Sequence, residues 1–104
     1  MVTEDKVIAT LKQVFDPEIP IDLWNLGLIY DINIVDSDSP SKQNINITMT
    51  LTTPGCKMVQ HIKNDVKTKI EALEGVNEAT IAITFDPQWN VNMISDDARK
   101  KLNL

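Results

Sequence analysis

One cysteine, one histidine and a scatter of carboxylates are the side chains best suited to chemistry here, and the cysteine is the best placed of them. Cys56 follows Thr52-Thr53-Pro54-Gly55, at the joint between two different hydrophobic periods. Before it, Ile45, Ile47, Met49 and Leu51 alternate with Asn46, Thr48, Thr50 and Thr52, the period of a half-buried strand. After it, Val59, Ile62, Val66, Ile70 and Leu73 recur at spacings of three and four, the period of an amphipathic helix. The spacing predicts that Cys56 lies in the first helical turn, at the edge of the apolar stripe. Thr53 suits the N-cap and Pro54 the first helical position. Unpaired backbone N–H groups at a helix start favour an anion and lower a thiol pKa. Two readings stand side by side: a reactive or metal-binding thiolate, and a small core residue, which free cysteines often are.

Several chemistries are excluded. No glycine-rich phosphate loop of the Walker or dinucleotide type is present. His61 follows Cys56 by five residues, about 140° around a helix, so the two cannot chelate one ion from that helix. It reads as a solvent-facing residue. One cysteine and one histidine do not make a four-ligand zinc site, and one cysteine does not make the usual four-thiolate cluster site. If Cys56 holds iron or an iron–sulfur cluster, the other ligands come from a second copy of the chain, as in a homodimer, from a partner protein or from a small thiol. Such a site lies at an interface and is labile, which suits transfer better than electron storage.

The formal net charge of −5 argues against a nucleic-acid binder, which needs a basic face. Lys57, Lys63, Lys67 and Lys69 read as a solvated helix face. A single cysteine forbids an internal disulfide and is compatible with a reducing cytoplasm. Glu4, Asp5, Lys6 and Asp16 interrupt the first twenty residues, against a secretory signal, and no stretch is long and apolar enough to span a membrane.

The elements that must position Cys56 can be read in order. A helix is predicted over 4–15, with Val7, Ile8, Leu11, Val14 and Phe15 on one face, Thr3 as its cap and Asp16-Pro17 as its end. Residues 16–28 form an ordered, apolar loop carrying three carboxylates, Asp16, Glu18 and Asp22. Caps and turns are the simpler account of them; facing the cysteine is the sharper one. A strand over 28–35 and a polar loop over 36–43 lead into the strand that precedes Cys56, as an antiparallel hairpin. The helix from Cys56 to Leu73 ends near Gly75. Ala79, Ile81, Ile83 and Phe85 mark a third strand, and the helix before it is long enough for a crossover that leaves this strand parallel to the second. Asp86-Pro87-Gln88-Trp89-Asn90 stops it, with Trp89 covering a core edge or a pocket. Ser95 caps a short last helix whose first turn holds Asp96 and Asp97. With 104 residues, the chain is expected to be a single α+β domain over 1–104. It is a small three-stranded mixed sheet with helices on one face, in the order α-β-β-α-β-α.

Three stretches together resemble one family: Asp16-Pro17-Glu18 followed by Asn25-Leu26-Gly27-Leu28-Ile29-Tyr30-Asp31; Met49 to Cys56; and Phe85-Asp86-Pro87-Gln88-Trp89 leading to Met93-Ile94-Ser95. The chain looks like the SufT/PaaD-type iron–sulfur cluster assembly domains in their stand-alone bacterial form, over nearly its whole length. The resemblance implies a cytoplasmic, non-enzymatic accessory role in maturing iron–sulfur proteins, with the assembly machinery and client apoproteins as partners. It also implies one surface site made from Asp16, Glu18, Thr52, Thr53 and Cys56. No cysteine-bearing tail follows Leu102, which favours the Suf-type role over one tied to a multicomponent aromatic oxygenase. A pure interaction module, with Cys56 structural, is the competing account. A thiol enzyme would lack a paired histidine to activate its nucleophile.

Overall fold

The computed structural model describes residues 2–16, 19–52 and 59–102. The alternation before Cys56 becomes β2 (Gln43–Met49), the central strand of a sheet of order β1-β2-β3. β1 (Ile29–Asp36) pairs with it antiparallel, Ile32 opposite Ile47 and Ile34 opposite Ile45. β3 (Val76–Ile83) pairs with it parallel, Ala79 opposite Ile45 and Ile81 opposite Ile47. The expected mixed sheet and the order α-β-β-α-β-α are therefore observed.

Period two decides which face is buried. Ile45, Ile47 and Met49 are shut off from solvent, while Asn46 between them is exposed. Helix α2 (Val59–Glu71) covers the buried face, turning Ile62, Val66 and Ile70 inward. Each such side chain contributes roughly 1.5–3 kcal/mol on burial. Helix α1 (Glu4–Leu11) packs on α2 and buries Val7 and Leu11. Leu23, Leu26 and Leu28, from the apolar loop, complete the core. A 3-10 turn at Val91–Met93 and helix α3 (Asp96–Lys101) close the described chain. Among the described residues no helix is long and apolar enough to cross a membrane.

Several local expectations hold. The Thr3 side chain accepts from the Lys6 N–H, and the Ser95 hydroxyl from the Ala98 N–H, as N-caps do.

Other expectations are corrected. α1 ends at Leu11 rather than 15, because the Gln13 and Val14 N–H groups bond back to Thr10 and Leu11 in tight turns. The chain then pairs as a bridge, Phe15 opposite Asp22, with the Leu23 N–H bonding to the Val14 carbonyl at 2.8 Å. Extended backbone sends neighbours to opposite sides, so Val14 is buried while Phe15 is 58% exposed. β2 ends at Met49 rather than running to Thr52. α2 ends at Glu71 rather than at Leu73, and Gly75, at φ +91°, sits in the turn that leads into Val76, left-handed backbone that a Cβ would penalise. β3 starts earlier than read, at Val76, and ends at Ile83; Phe85 lies beyond it and is largely exposed. The start predicted for the second helix, at Cys56, lies outside the described residues.

Candidate functional site

β2 and β3 are parallel, so their carboxyl ends share one end of the sheet. The connection from β2 into α2, which carries Cys56 in the sequence, leaves from that end. Open α/β layers place ligand sites at such ends. Of the five expected site residues, Asp16 and Thr52 are described; Glu18, Thr53 and Cys56 lie outside the described residues, as does the cap expected from Thr53 and Pro54. Asp16 is buried, and its Oδ1 accepts from the Ile19 N–H at 3.1 Å. Thr52 is half-buried, next to the buried Leu51. Thr50 is fully buried; its N–H bonds to the Leu28 carbonyl at 2.8 Å, and its hydroxyl has no hydrogen-bond partner among the described residues.

The third carboxylate of the acidic loop, Asp22, caps a turn. Its Oδ2 accepts from the Asn25 N–H at 3.0 Å and its Oδ1 from the Asn25 side chain at 2.8 Å. His61 is exposed, as its helical position predicted. Among the described residues no group of three histidine, cysteine, aspartate or glutamate side chains is arranged to hold a metal ion.

The perturbed carboxyl lies elsewhere, on the free edge of β3. Glu71 Oε2 accepts from the Ala79 N–H at 3.0 Å and from Lys67 Nζ at 2.9 Å, while Lys67 Nζ donates to the Ala79 carbonyl at 2.6 Å. The Ala79 N–H bond, and after it the Lys67 ammonium, hold the Glu71 carboxyl below its ordinary value. The two side chains act as a missing neighbour strand and blunt this edge.

A cleft of about 690 Å³ opens at the same end of the sheet as the β2–α2 connection, lined by Tyr30, Thr48, Thr84, Asp86, Pro87 and Met93 among others. A register shift in β1 between Ile29 and Asp31 sets Tyr30 apart from the ladder. Its hydroxyl donates to the Pro87 carbonyl at 2.7 Å and lies 3.6 Å from Met93 Sδ. The segment that walls the cleft is tied back at two places: Trp89 Nε1 donates to the Leu26 carbonyl at 2.6 Å, and the Ser95 hydroxyl to Asn25 Oδ1 at 2.8 Å. Sequence reasoning did not find this cleft. Its signal was the Asp86-Pro87-Gln88-Trp89 run, which reads on its own as a strand stop. Trp89 sits at the core edge, one of the two places expected for it.

A mixed three-stranded sheet with a helical crossover, the Thr-Thr-Pro-Gly-Cys run following its central strand in the sequence, defines a small α+β domain. The chain belongs to the iron–sulfur cluster assembly protein family, whose model matches residues 4–83. It is 40% identical over 100 residues to a Porphyromonas gingivalis Fe–S protein maturation auxiliary factor, covering 96% of this chain and 90% of that one. It is 34% identical over 91 residues to the Staphylococcus aureus Fe–S protein maturation auxiliary factor SufT, covering 88% and 98%. In structure it is similar to a domain of unknown function from Bacillus anthracis, with a TM-score of 0.83 and 35% identity over 97% of this chain and 92% of that one.

Proposed function

We propose that this protein is a non-enzymatic accessory factor in iron–sulfur protein maturation. Cys56 is its working thiol, and iron or a labile cluster is its cargo. The observation that carries the reading is the near full-length similarity to proteins named as maturation auxiliary factors. The sequence position of Cys56 supports it. The connection leaves the carboxyl end of a central strand, and the predicted helix start supplies N–H groups that favour a thiolate. Cys56 supplies one ligand; a second copy, the assembly machinery or the client apoprotein supplies the rest. Thr52 and Thr53 precede it in the sequence and offer hydroxyls, and Asp16 and Glu18 are the acidic residues that the resemblance assigns to the same site. With one thiolate per chain the cargo is held weakly enough to pass on.

The test is anaerobic reconstitution with iron and sulfide, comparing wild type with Cys56→Ser by visible absorption and native mass. It is paired with iron–sulfur enzyme activity in a deletion strain. The expected result is a Cys56-dependent coloured species at two chains per cluster, with client activity lost in the folded variant. Full restoration of client activity by Cys56→Ser overturns the assignment of the thiol.

A further inference from the structure

The cleft between Tyr30, Asp86 and Met93 carries chemistry that the thiol site does not use. Its polar lining is rich in acceptors. Among the described residues the Asp86 carboxylate has no ion-pair partner, and Asp86 is the only charged residue lining the cleft. The Tyr30 hydroxyl spends its proton on the Pro87 carbonyl, so its oxygen is left as an acceptor. Met93 offers a thioether, a weak acceptor at most. Thr48 and Thr84 add hydroxyls, which accept as well as donate, and Gly27, Ile29, the Tyr30 ring and Pro87 make up the rest. Among the described residues no lysine, arginine or histidine lines it. Exposed Asp31, next to Tyr30 in the sequence, lines a separate pocket with Glu4, and the chain as a whole carries −5.

We propose that this cleft seats an arginine side chain presented by a partner protein. Arginine is a donor-only group with five N–H donors, on an apolar stem. Its planar cation pairs with a carboxylate through two parallel bonds and lies against aromatic faces, which suits Asp86 and Tyr30. The volume of about 690 Å³ is larger than one side chain needs and admits the flanking backbone too. The walls are set in advance, because Trp89 and Ser95 tie them to the Leu26 carbonyl and Asn25. Pre-formed walls reduce the ordering cost of binding. The acidic surroundings steer a cationic segment inward.

The experiment is a titration of the full chain with the capped tripeptide acetyl-Gly-Arg-Gly-amide, followed by amide chemical shifts. Shifts are expected at Tyr30, Thr48, Thr84 and Met93, weakening as salt is raised. The citrulline peptide, of the same shape but neutral, and the Asp86→Asn variant should each bind about ten-fold more weakly, because each removes one half of the charged pair. Asp86 is exposed, so that variant keeps its fold, which circular dichroism checks. Asp31→Asn, on the neighbouring surface, should change binding less than two-fold. Equal binding of the citrulline or lysine peptide, tighter binding of free arginine than of the peptide, or shifts that persist in Asp86→Asn each overturn the proposal. The readout is independent of Cys56, so its failure and the failure of the thiol assignment are separate results.

Discussion

The indole N–H of Trp89 donates to the carbonyl of Leu26 at 2.6 Å, joining residues 63 positions apart in the chain. Leu26 is fully buried and Trp89 packs against the core, so this bond fastens the segment after β3 to the apolar loop before β1. Trp89→Phe keeps most of the packing but removes the donor. A buried carbonyl left without its partner costs about 1–3 kcal/mol. Urea denaturation should show a loss in that range with an unchanged m-value. The same variant should loosen the wall of the Tyr30 cleft.

One residue further on, Gly27 sits at φ +77°, and a Cβ there would run into the backbone carbonyl of Met93. Gly27→Ala therefore meets two penalties, left-handed backbone and a clash with main chain that cannot swing away. The expected loss is about 2 kcal/mol or more, read as a lower thermal midpoint. A midpoint equal to wild type would show that the approach to Met93 relaxes freely.

These two contacts show where sequence reading stops. The strands and α2 were legible because period two and period 3.6 are local signals, and Ile45, Ile47, Ile62 and Val66 obey them. Ser95 and Thr3 were legible as caps because capping is read within three residues. Phe15 was misread because its neighbour Val14 fits the helical stripe, while a tertiary bridge to Asp22 takes both residues out of the helix. The cleft was invisible because it is assembled from Tyr30, Thr48, Asp86 and Met93, whose proximity depends on the Trp89 and Ser95 tethers. In the acidic loop, Asp22 proved to be a turn cap through Asn25, a role its type and position allow but do not distinguish from a site role.

Thr50 gives a prediction of the opposite sign. Its hydroxyl is buried, with no hydrogen-bond partner among the described residues. Valine has nearly the same shape and suits extended backbone. Thr50→Val should therefore be neutral or stabilising by up to about 1 kcal/mol, since no bond is lost and a buried polar atom is removed. Destabilisation on urea titration would show that the hydroxyl is satisfied in solution. If the variant is stable yet fails to support client enzymes, the Thr50 hydroxyl acts from beneath the segment that continues into Thr52.

The last prediction concerns acid. Glu71 is held below its ordinary value of 4.5 by the Ala79 N–H and by Lys67. A carboxyl depressed in the folded state binds its proton more readily when unfolded. Its contribution to stability is thus present above pH 4.5 and is lost as pH falls through the lower folded value. Glu71→Gln still offers Ala79 an acceptor but cannot titrate. The variant should be less stable than wild type at neutral pH, because Lys67 loses its charged partner, and the gap should close below pH 4.5. Chemical denaturation from pH 7 to pH 3 measures it. A gap that stays constant across that range would mean that Glu71 binds its proton equally in both states, and that packing alone blunts the edge of β3 at Ala79.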